Sequence, residues 1–431
     1  MLRRFLVVAG GAAFGLLLVS LASRLAPASW NWWPNRELER NTAYFRRVLD
    51  LVADNYVDEK DADYQKLTRA ALEGMLKSLD PHSEFMGAEE SRELQEEMDG
   101  KFGGIGVQVE RRDGRIVVIA PIAGTPGERA GIQRGDQIIR VDGQSMEKLG
   151  MDKVVEHLRG KPKTRVQVTL YRPSSKQTLD LTLTRELIKI ESLRDVSMLE
   201  PGIGYIQLTH FSNRTGAEFK AALQKLDQQG MAALVLDLRN NPGGLLESAV
   251  DVAEPFFRPG EVIVYTQGRS PESRQDLRAG PRAAGRMLPV AVLVNSGSAS
   301  ASEVMAGALK DTGRAVIVGE KTFGKGSVQT VFRLQNGEAL RLTTARYYTP
   351  GGISIHEKGI EPQVAVAVSL EDEAKLRVQR ARSDLTDATE FAKRFGFEPV
   401  ADRPLQTAVD LLKGVRVYAA RSQPPVVAAG R

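Results

Sequence analysis

Four apolar segments recur through the second half of the chain: GYIQLTHF (204–211), ALVLDLR (233–239), VAVLVN (290–295) and RAVIVG (314–319). They constrain the fold more than any other feature. A strand with one wet face alternates apolar and polar residues, whereas a strand that is apolar at consecutive positions has to be covered on both faces. Stretches of helical periodicity lie between them, at residues 216–228 and in LLESAVDVAEPFF (245–257). Apolar strands alternating with helices predict an α/β core, a sheet layered between helices. A charged loop, GRSPESRQDLRAG (268–280), is expected between the strands EVIVYTQ and VAVLVN.

The rest of the 431 residues divides by texture, and the length suffices for two or three separate cores. Residues 35–99 carry apolar side chains at helical spacing, broken near Asn55, and end in a charged helical stretch over 88–98. Residues 100–187 are β-rich, with a Gly-rich turn in KFGGIGVQVERR, a tight Asp-Gly turn at 142–143 and an amphipathic helix in MDKVVEHLRG. This order resembles a PDZ domain. Backbone N–H groups of Gly103, Gly104, Ile105 and Gly106 can converge on a peptide's terminal carboxylate, with Val155 and Leu158 of the helix lining the other wall. Taken alone the glycines would only form a hairpin; the flanking pattern favours a peptide site. The α/β core is placed at 188–370. Residues 371–431 read as two charged amphipathic helices (371–394 and 404–420) followed by a stretch, QPPVVAAGR, expected to be disordered.

The net charge of +5 is scattered, so no nucleic-acid surface is expected. The absence of cysteine excludes thiol nucleophiles, zinc–thiolate sites and disulfides. No metal-ligand spacing occurs, and neither a metal nor another cofactor is expected. At the N-terminus, Arg3 and Arg4 precede an uncharged apolar run, residues 5–22, in the layout of an export signal. Two outcomes compete for residues 1–28. Ala26, Pro27 and Ala28 suit signal-peptide cleavage; the length of the run and the following Trp30, Trp32 and Trp33 suit retention as a membrane anchor. Either outcome puts the rest of the chain outside the cytoplasm.

The chemistry concentrates where VAVLVN meets NSGSASASE (295–303), four serines at alternate positions between a strand and a helix. A nucleophile at such an elbow is exposed beside the unpaired N–H groups of the helix start. Ser300 sits at that start, yet Ser300-Ala301-Ser302-Glu303 is also an S-x-x-E capping box, which would occupy the same hydroxyl. Among four histidines, His210 and His356 leave a Ser-His-Asp triad open. Lys325, between two glycines in GEKTFGKGSVQ (319–329), is the other candidate base, since desolvation lowers a lysine pKa. The same segment satisfies G-x-x-x-x-G-K, but Gly326 replaces the Mg²⁺-ligating Ser or Thr and SVQTVFRL reads as strand, so a P-loop is rejected.

LDPHSEFM (79–86), DLRNNPGGLL (237–246), NSGSASASEVMAGALKD (295–311) and GEKTFGKGSVQT (319–330) together resemble the C-terminal processing (tail-specific) peptidases, serine–lysine endopeptidases with an embedded PDZ domain. The resemblance spans roughly residues 40–368. It implies a crotonase-like (ClpP-type ββα) peptidase core with the PDZ domain inserted and helical segments at both ends. It implies Ser300 as nucleophile, Lys325 as base 25 positions later, Gln329 as its helper, and an oxyanion hole from Ala301 with Gly243 or Gly244. Asp311 matches a residue the family retains, and is read as structural. The implied substrates are unfolded or tail-exposed proteins with apolar C-termini, cut in the bacterial periplasm or cell envelope. An activator protein, a homo-oligomer and inner-membrane anchoring are the other partners the resemblance admits. Ile353 departs from the more usual polar or basic residue. The alternative from another class is a catalytically inactive PDZ scaffold.

Overall fold

The computed structural model describes residues 35–422 apart from Asp113, Ala123, Arg134, Ile190 and 381–386. The expected export segment and the C-terminal stretch after Ser422, expected to be disordered, lie outside the described residues. Among the described residues no helix is long and apolar enough to cross a membrane. The described residues 35–78 belong to a unit of their own. In it, α1 (Arg36–Asn55) and α2 (Tyr64–Lys77) start at Asn35 and Asp63, whose side chains accept first-turn N–H groups. The Tyr64 hydroxyl donates to Asp50 at 3.1 Å.

The second unit opens with β1 (Glu84–Met86) and α3 (Ala88–Met98). The β-rich segment follows: β2 (Lys101–Gly104), β3 (Val107–Arg112), β4 (Arg115–Pro121), α4 (Pro126–Arg129), β5 (Gln137–Val141), β6 (Gln144–Ser145), α5 (Met151–Leu158), β7 (Arg165–Arg172), β8 (Gln177–Thr184) and β9 (Glu186–Lys189). Its sheet runs β3-β4-β5-β7-β8 with β6 beside β5, while β2 and β9 pair as a separate ribbon at the two ends of the segment. Val154 and Leu158, one turn apart on α5, share its inward face and pack with Ile105, Ile116 and Val168. This corrects part of the peptide-site expectation. The Leu158 side chain, expected to line the groove, is 5% exposed and packs into the core of this segment; the side chain of Ile105, whose backbone N–H was the expected contact, is 1% exposed. Val155 is half-buried, and Gly103, Gly104 and Gly106 are buried.

From residue 193 the alternation read in the sequence is present: β10 (Leu193–Glu200), β11 (Ile203–Leu208), α6 (Thr215–Gln228), β12 (Ala233–Asp237), α7 (Leu246–Ala253), β13 (Val262–Gln267), β14 (Gln275–Arg278), β15 (Val290–Val294), α8 (Ala301–Asp311), β16 (Val316–Gly319), β17 (Ser327–Arg333), β18 (Ala339–Tyr348) and β19 (Val364–Ala365). The main sheet has the order β10-β11-β12-β15-β16-β19. Its strands are parallel except β10. A second sheet, β1-β18-β13-β14 with β17 on β18, stands beside it. The charged loop expected at 268–280 contains β14. It pairs with β13 because Leu277 reaches the apolar cluster around Val264 and Tyr347, while Arg274 and Arg278 pair with Asp276 outside.

α6, α7 and α8 cover one face of the main sheet through Phe219, Leu223, Val252 and Met305. The C-terminal segment consists of α9 (Leu370–Arg380), α10 (Ala388–Phe395) and α11 (Arg403–Ser422), and α11 covers the other face. α11 lays Ala408, Val409 and Leu412 onto Tyr205, Val235 and Leu293. Each fully buried Val or Leu contributes about 1.5–3 kcal/mol relative to exposure. The single helix expected at 371–394 is two described helices.

Candidate active site

β12, β15 and β16 are parallel neighbours, so the loops NNPGG, NSGSAS and EKTFGKG leave the sheet at one edge. Open α/β sheets place their ligand sites outside these carboxyl ends.

Ser300 is the N-cap of α8, with φ 55° and ψ −116°. A non-glycine residue held there is strained by about 1–3 kcal/mol. The four serines are no longer equivalent. Ser298 donates its hydroxyl to the Leu238 carbonyl at 2.7 Å and Ser302 to the Asn241 carbonyl at 2.9 Å. Ser296 is exposed. Ser300 makes no side-chain cap hydrogen bond; the Glu303 N–H donates to the Ser300 carbonyl at 2.9 Å. Glu303 Oε2 accepts from the Ser300 N–H at 2.8 Å.

Glu303 is fully buried and joins the two loops. Its Oε2 also accepts from the Lys325 N–H at 2.8 Å, and its Oε1 accepts from the Gly324 N–H at 2.7 Å and from the Thr322 hydroxyl. One carboxylate oxygen thus holds the backbones of Ser300 and Lys325 within hydrogen-bond reach of a common point. Glu303→Ala would strand these four donors, and a loss of about 3 kcal/mol or more in unfolding free energy is expected by denaturant titration. A variant as stable as the wild type would show that this carboxylate does not tie the loops. The S-x-x-E pattern exposed Glu303 in the sequence, but only as a cap.

Lys325 is half-buried. Burial lowers its pKa from the ordinary lysine value, and the nearby positive charge of Arg341 lowers it further. Gln329, on β17, donates from Nε2 to the Ser327 hydroxyl at 2.9 Å. Gly243 and Gly244 have φ of 103° and 139°. A Cβ on Gly243 would lie 2.8 Å from the Ser300 Cβ, and one on Gly244 2.0 Å from the Phe211 carbonyl oxygen, so side chains are excluded at both. The Gly243 N–H donates to Asn241 Oδ1 at 2.9 Å and so already has an acceptor. Phe211 bonds the Gly243 carbonyl and the Leu245 N–H, both at 2.9 Å, in a parallel bridge to Gly244. The Gly244 N–H is left on the opposite edge of the chain. Ala301 N–H, first in the helix, has no acceptor among the described residues.

The histidines lie elsewhere in the hydrogen-bond network. His210 faces Ser192 Oγ at 3.4 Å and Thr209 Oγ1 at 3.1 Å, and His356 Nε2 is 3.7 Å from Glu357. Among the described residues neither bonds Ser300. LDPHSEFM acts through its neighbours. Asp80 Oδ1 accepts the His82 and Ser83 N–H groups at 2.7 and 2.9 Å, Ser83 Oγ accepts the Thr343 N–H at 3.1 Å, and Glu84 pairs with Arg341 at 2.8 Å. The motif thereby fixes β18 and with it Arg341, a residue the sequence did not single out. Burial and the Lys325 charge lower the His82 pKa. Asp311, at the far end of α8, accepts from the Thr349 hydroxyl at 2.7 Å and from the Gly351 N–H, and Ile353 is exposed.

A cavity of about 2080 Å³ is lined at the sheet edge by Gly244, Ser300, Lys325 and Gln329 and at the β-rich segment by Val107 and Ile122. The arrangement offers a free hydroxyl, a desolvated amine and two unpaired N–H groups beside a large cleft.

The S41 peptidase family matches residues 202–366 and the PDZ domain family residues 93–171. A carboxy-terminal-processing protease of Bartonella bacilliformis is 35% identical over 97% of this chain and 98% of its own. A provisionally named CtpA-like serine protease of Staphylococcus aureus is 39% identical over 77% of this chain and 66% of its own. A solved structure of a provisionally assigned S41 protease of Bacteroides fragilis shares the fold with a TM-score of 0.51 at 17% identity, covering 86% of this chain and 97% of that one. The chain belongs to the carboxy-terminal-processing proteases of peptidase family S41, serine-type peptidases that here carry a PDZ domain.

Proposed function

We propose that this protease works outside the cytoplasm with a Ser300–Lys325 dyad and selects proteins by apolar C-terminal tails. The observation that carries the dyad is the shared Glu303 oxygen at 2.8 Å from both Ser300 N and Lys325 N, with the serine hydroxyl free of the cap. Neutral Lys325 Nζ takes the Ser300 proton as Oγ attacks the scissile carbonyl carbon, and the resulting ammonium returns that proton to the leaving amine. The acyl-serine is then hydrolysed by a water that Lys325 deprotonates, and the proton is handed back to Ser300. Gln329 Nε2 is engaged by Ser327, so its Oε1 is the atom that orients the ammonium. Ala301 and Gly244 N–H groups stabilise the tetrahedral oxyanion, each contributing about 100- to 1000-fold in rate.

Tail recognition belongs to the PDZ domain, whose Val107 and Ile122 share the cleft with Ser300. A tail adding beside β3 presents its carboxylate to the backbone between β2 and β3, at Ile105 and Gly106. Export is supported by Arg3, Arg4 and the apolar run after them.

The test incubates the full chain with an unfolded protein ending in an apolar tail, once with a free carboxylate and once amidated. Cleavage is expected for both, with the amidated tail cut about 10-fold more slowly, the equivalent of one lost charge-assisted hydrogen bond. Equal rates would remove the PDZ reading; binding without cleavage would remove the dyad.

A further inference from the structure

The C-terminal segment, besides covering the main sheet, grips the loops that follow β12 and β15. Asn240 opens the NNPGG loop at φ 58°, and Asn295 opens the serine loop. Glu373 on α9 faces both: its Oε1 accepts from Asn240 Nδ2 at 2.8 Å and from Asn295 Nδ2 at 3.4 Å. Arg380 holds the same oxygen at 2.7 Å, and Arg377 donates to Asn240 Oδ1 at 3.1 Å. A carboxylate only accepts hydrogen bonds, so the two side-chain amides must turn their nitrogens toward it. Their oxygens are then aimed the other way. Asn295 Oδ1 accepts from the N–H groups of Asn240 at 2.9 Å and Gly297 at 3.1 Å, and Asn240 Oδ1 accepts from Asn295 Nδ2 at 3.2 Å. Glu373 thus sets the orientation of the amides that clamp one loop to the other.

What the clamp spaces is the pair of oxyanion donors. Gly244 lies four residues after Asn240 and Ala301 six after Asn295. The loops meet again where the Asn241 carbonyl accepts the Ala299 N–H at 3.0 Å and the Ser302 hydroxyl at 2.9 Å. Two non-glycine residues of these loops, Asn240 and Ser300, have positive φ. Strained backbone of this kind persists only where its surroundings over-determine it. We propose that Glu373 is a positioning residue for the oxyanion hole, holding the Gly244 and Ala301 N–H groups at the spacing the tetrahedral intermediate requires. This rests on the assignment of Ser300 and its two donors made above. Glu373 touches no substrate; it acts through Asn240 and Asn295.

A group that sets only this spacing alters transition-state binding and leaves ground-state binding alone. Glu373→Ala is expected to lower kcat by about 10- to 100-fold, as for a misplacement of roughly 1 Å. KM should stay within about twofold, and affinity for a peptidyl boronate, whose tetrahedral adduct occupies the hole, should fall in parallel with kcat. Unchanged kcat, or a change in KM with boronate affinity unaltered, overturns the proposal. A reciprocal pair covers the case in which Glu373→Ala does not fold. Asn295→Asp sets two carboxylates face to face and should lose kcat; adding Glu373→Gln supplies an amide donor and should restore it. Absence of rescue in the double variant also overturns the proposal. Labelling with a fluorophosphonate, followed by peptide mapping, keeps the two readings apart. A label on a residue other than Ser300 sinks the dyad, whatever Glu373 does.

Discussion

Ser300→Ala is expected to lower kcat/KM by about 10⁴-fold or more, the range seen when the nucleophile of a serine peptidase is removed. The loss should come with little change in stability, because this hydroxyl caps nothing and the Ser300 N–H keeps its bond to Glu303. The neighbouring serines supply the control. Ser298→Ala and Ser302→Ala each remove a buried hydroxyl that donates to a backbone carbonyl, at about 1 kcal/mol of stability apiece. Both should still react with a fluorophosphonate, whereas Ser300→Ala should not. If Ser300→Ala cuts at the wild-type rate while either neighbour is inactive, the elbow has been assigned to the wrong serine.

Lys325→Ala is expected to cost about 10²- to 10⁴-fold in kcat, the usual contribution of a positioned general base. Lys325→Arg should be equally impaired although it keeps the charge, since a guanidinium stays protonated and cannot accept the serine proton. In the wild type, kcat/KM should rise with pH through the Lys325 pKa and level off above it, because the neutral amine is the active form. Burial and Arg341 both lower this pKa, so the limb should fall below the ordinary lysine value, and it should vanish in Lys325→Ala. The stability effect has the opposite consequence for the fold. A lysine whose pKa is lower folded than unfolded binds fewer protons in the native state between the two values. Its unfavourable contribution is absent above the unfolded pKa and fully present below the folded one. Lys325→Met should therefore be at least as stable as the wild type at neutral pH while being inactive. A wild-type rate limb above the ordinary lysine pKa would contradict a desolvated base.

Much of this was legible in the chain. Apolar runs such as ALVLDLR had to be strands covered on both faces, and Ala233–Asp237 is buried throughout. The serine cluster marked the elbow between strand and helix. What escaped the reading has a common physical cause. β14 depends on one leucine, Leu277, finding an apolar partner across a hairpin, and its charged neighbours mask that signal. α9 and α11 look like solvated amphipathic helices until α11 meets the open face of the sheet. Gly243 and Gly244 are indistinguishable as oxyanion donors until Asn241 Oδ1 takes one of the two N–H groups.

The sequence by itself determined the layered α/β core, the order of its elements, the PDZ insertion and the short list of groups able to do chemistry. Hydrophobic periodicity and turn residues act over a few positions, and the chain records them directly. The tertiary structure alone decided which serine is free, which glycine N–H is unpaired and what keeps the loops in register. Those outcomes depend on the buried Glu303 and Asn241 and the part-buried Glu373 meeting donors from 2 to 133 positions away. A buried carboxylate or amide has to be satisfied by whatever the fold brings to it, and no local pattern in the chain encodes which groups those will be.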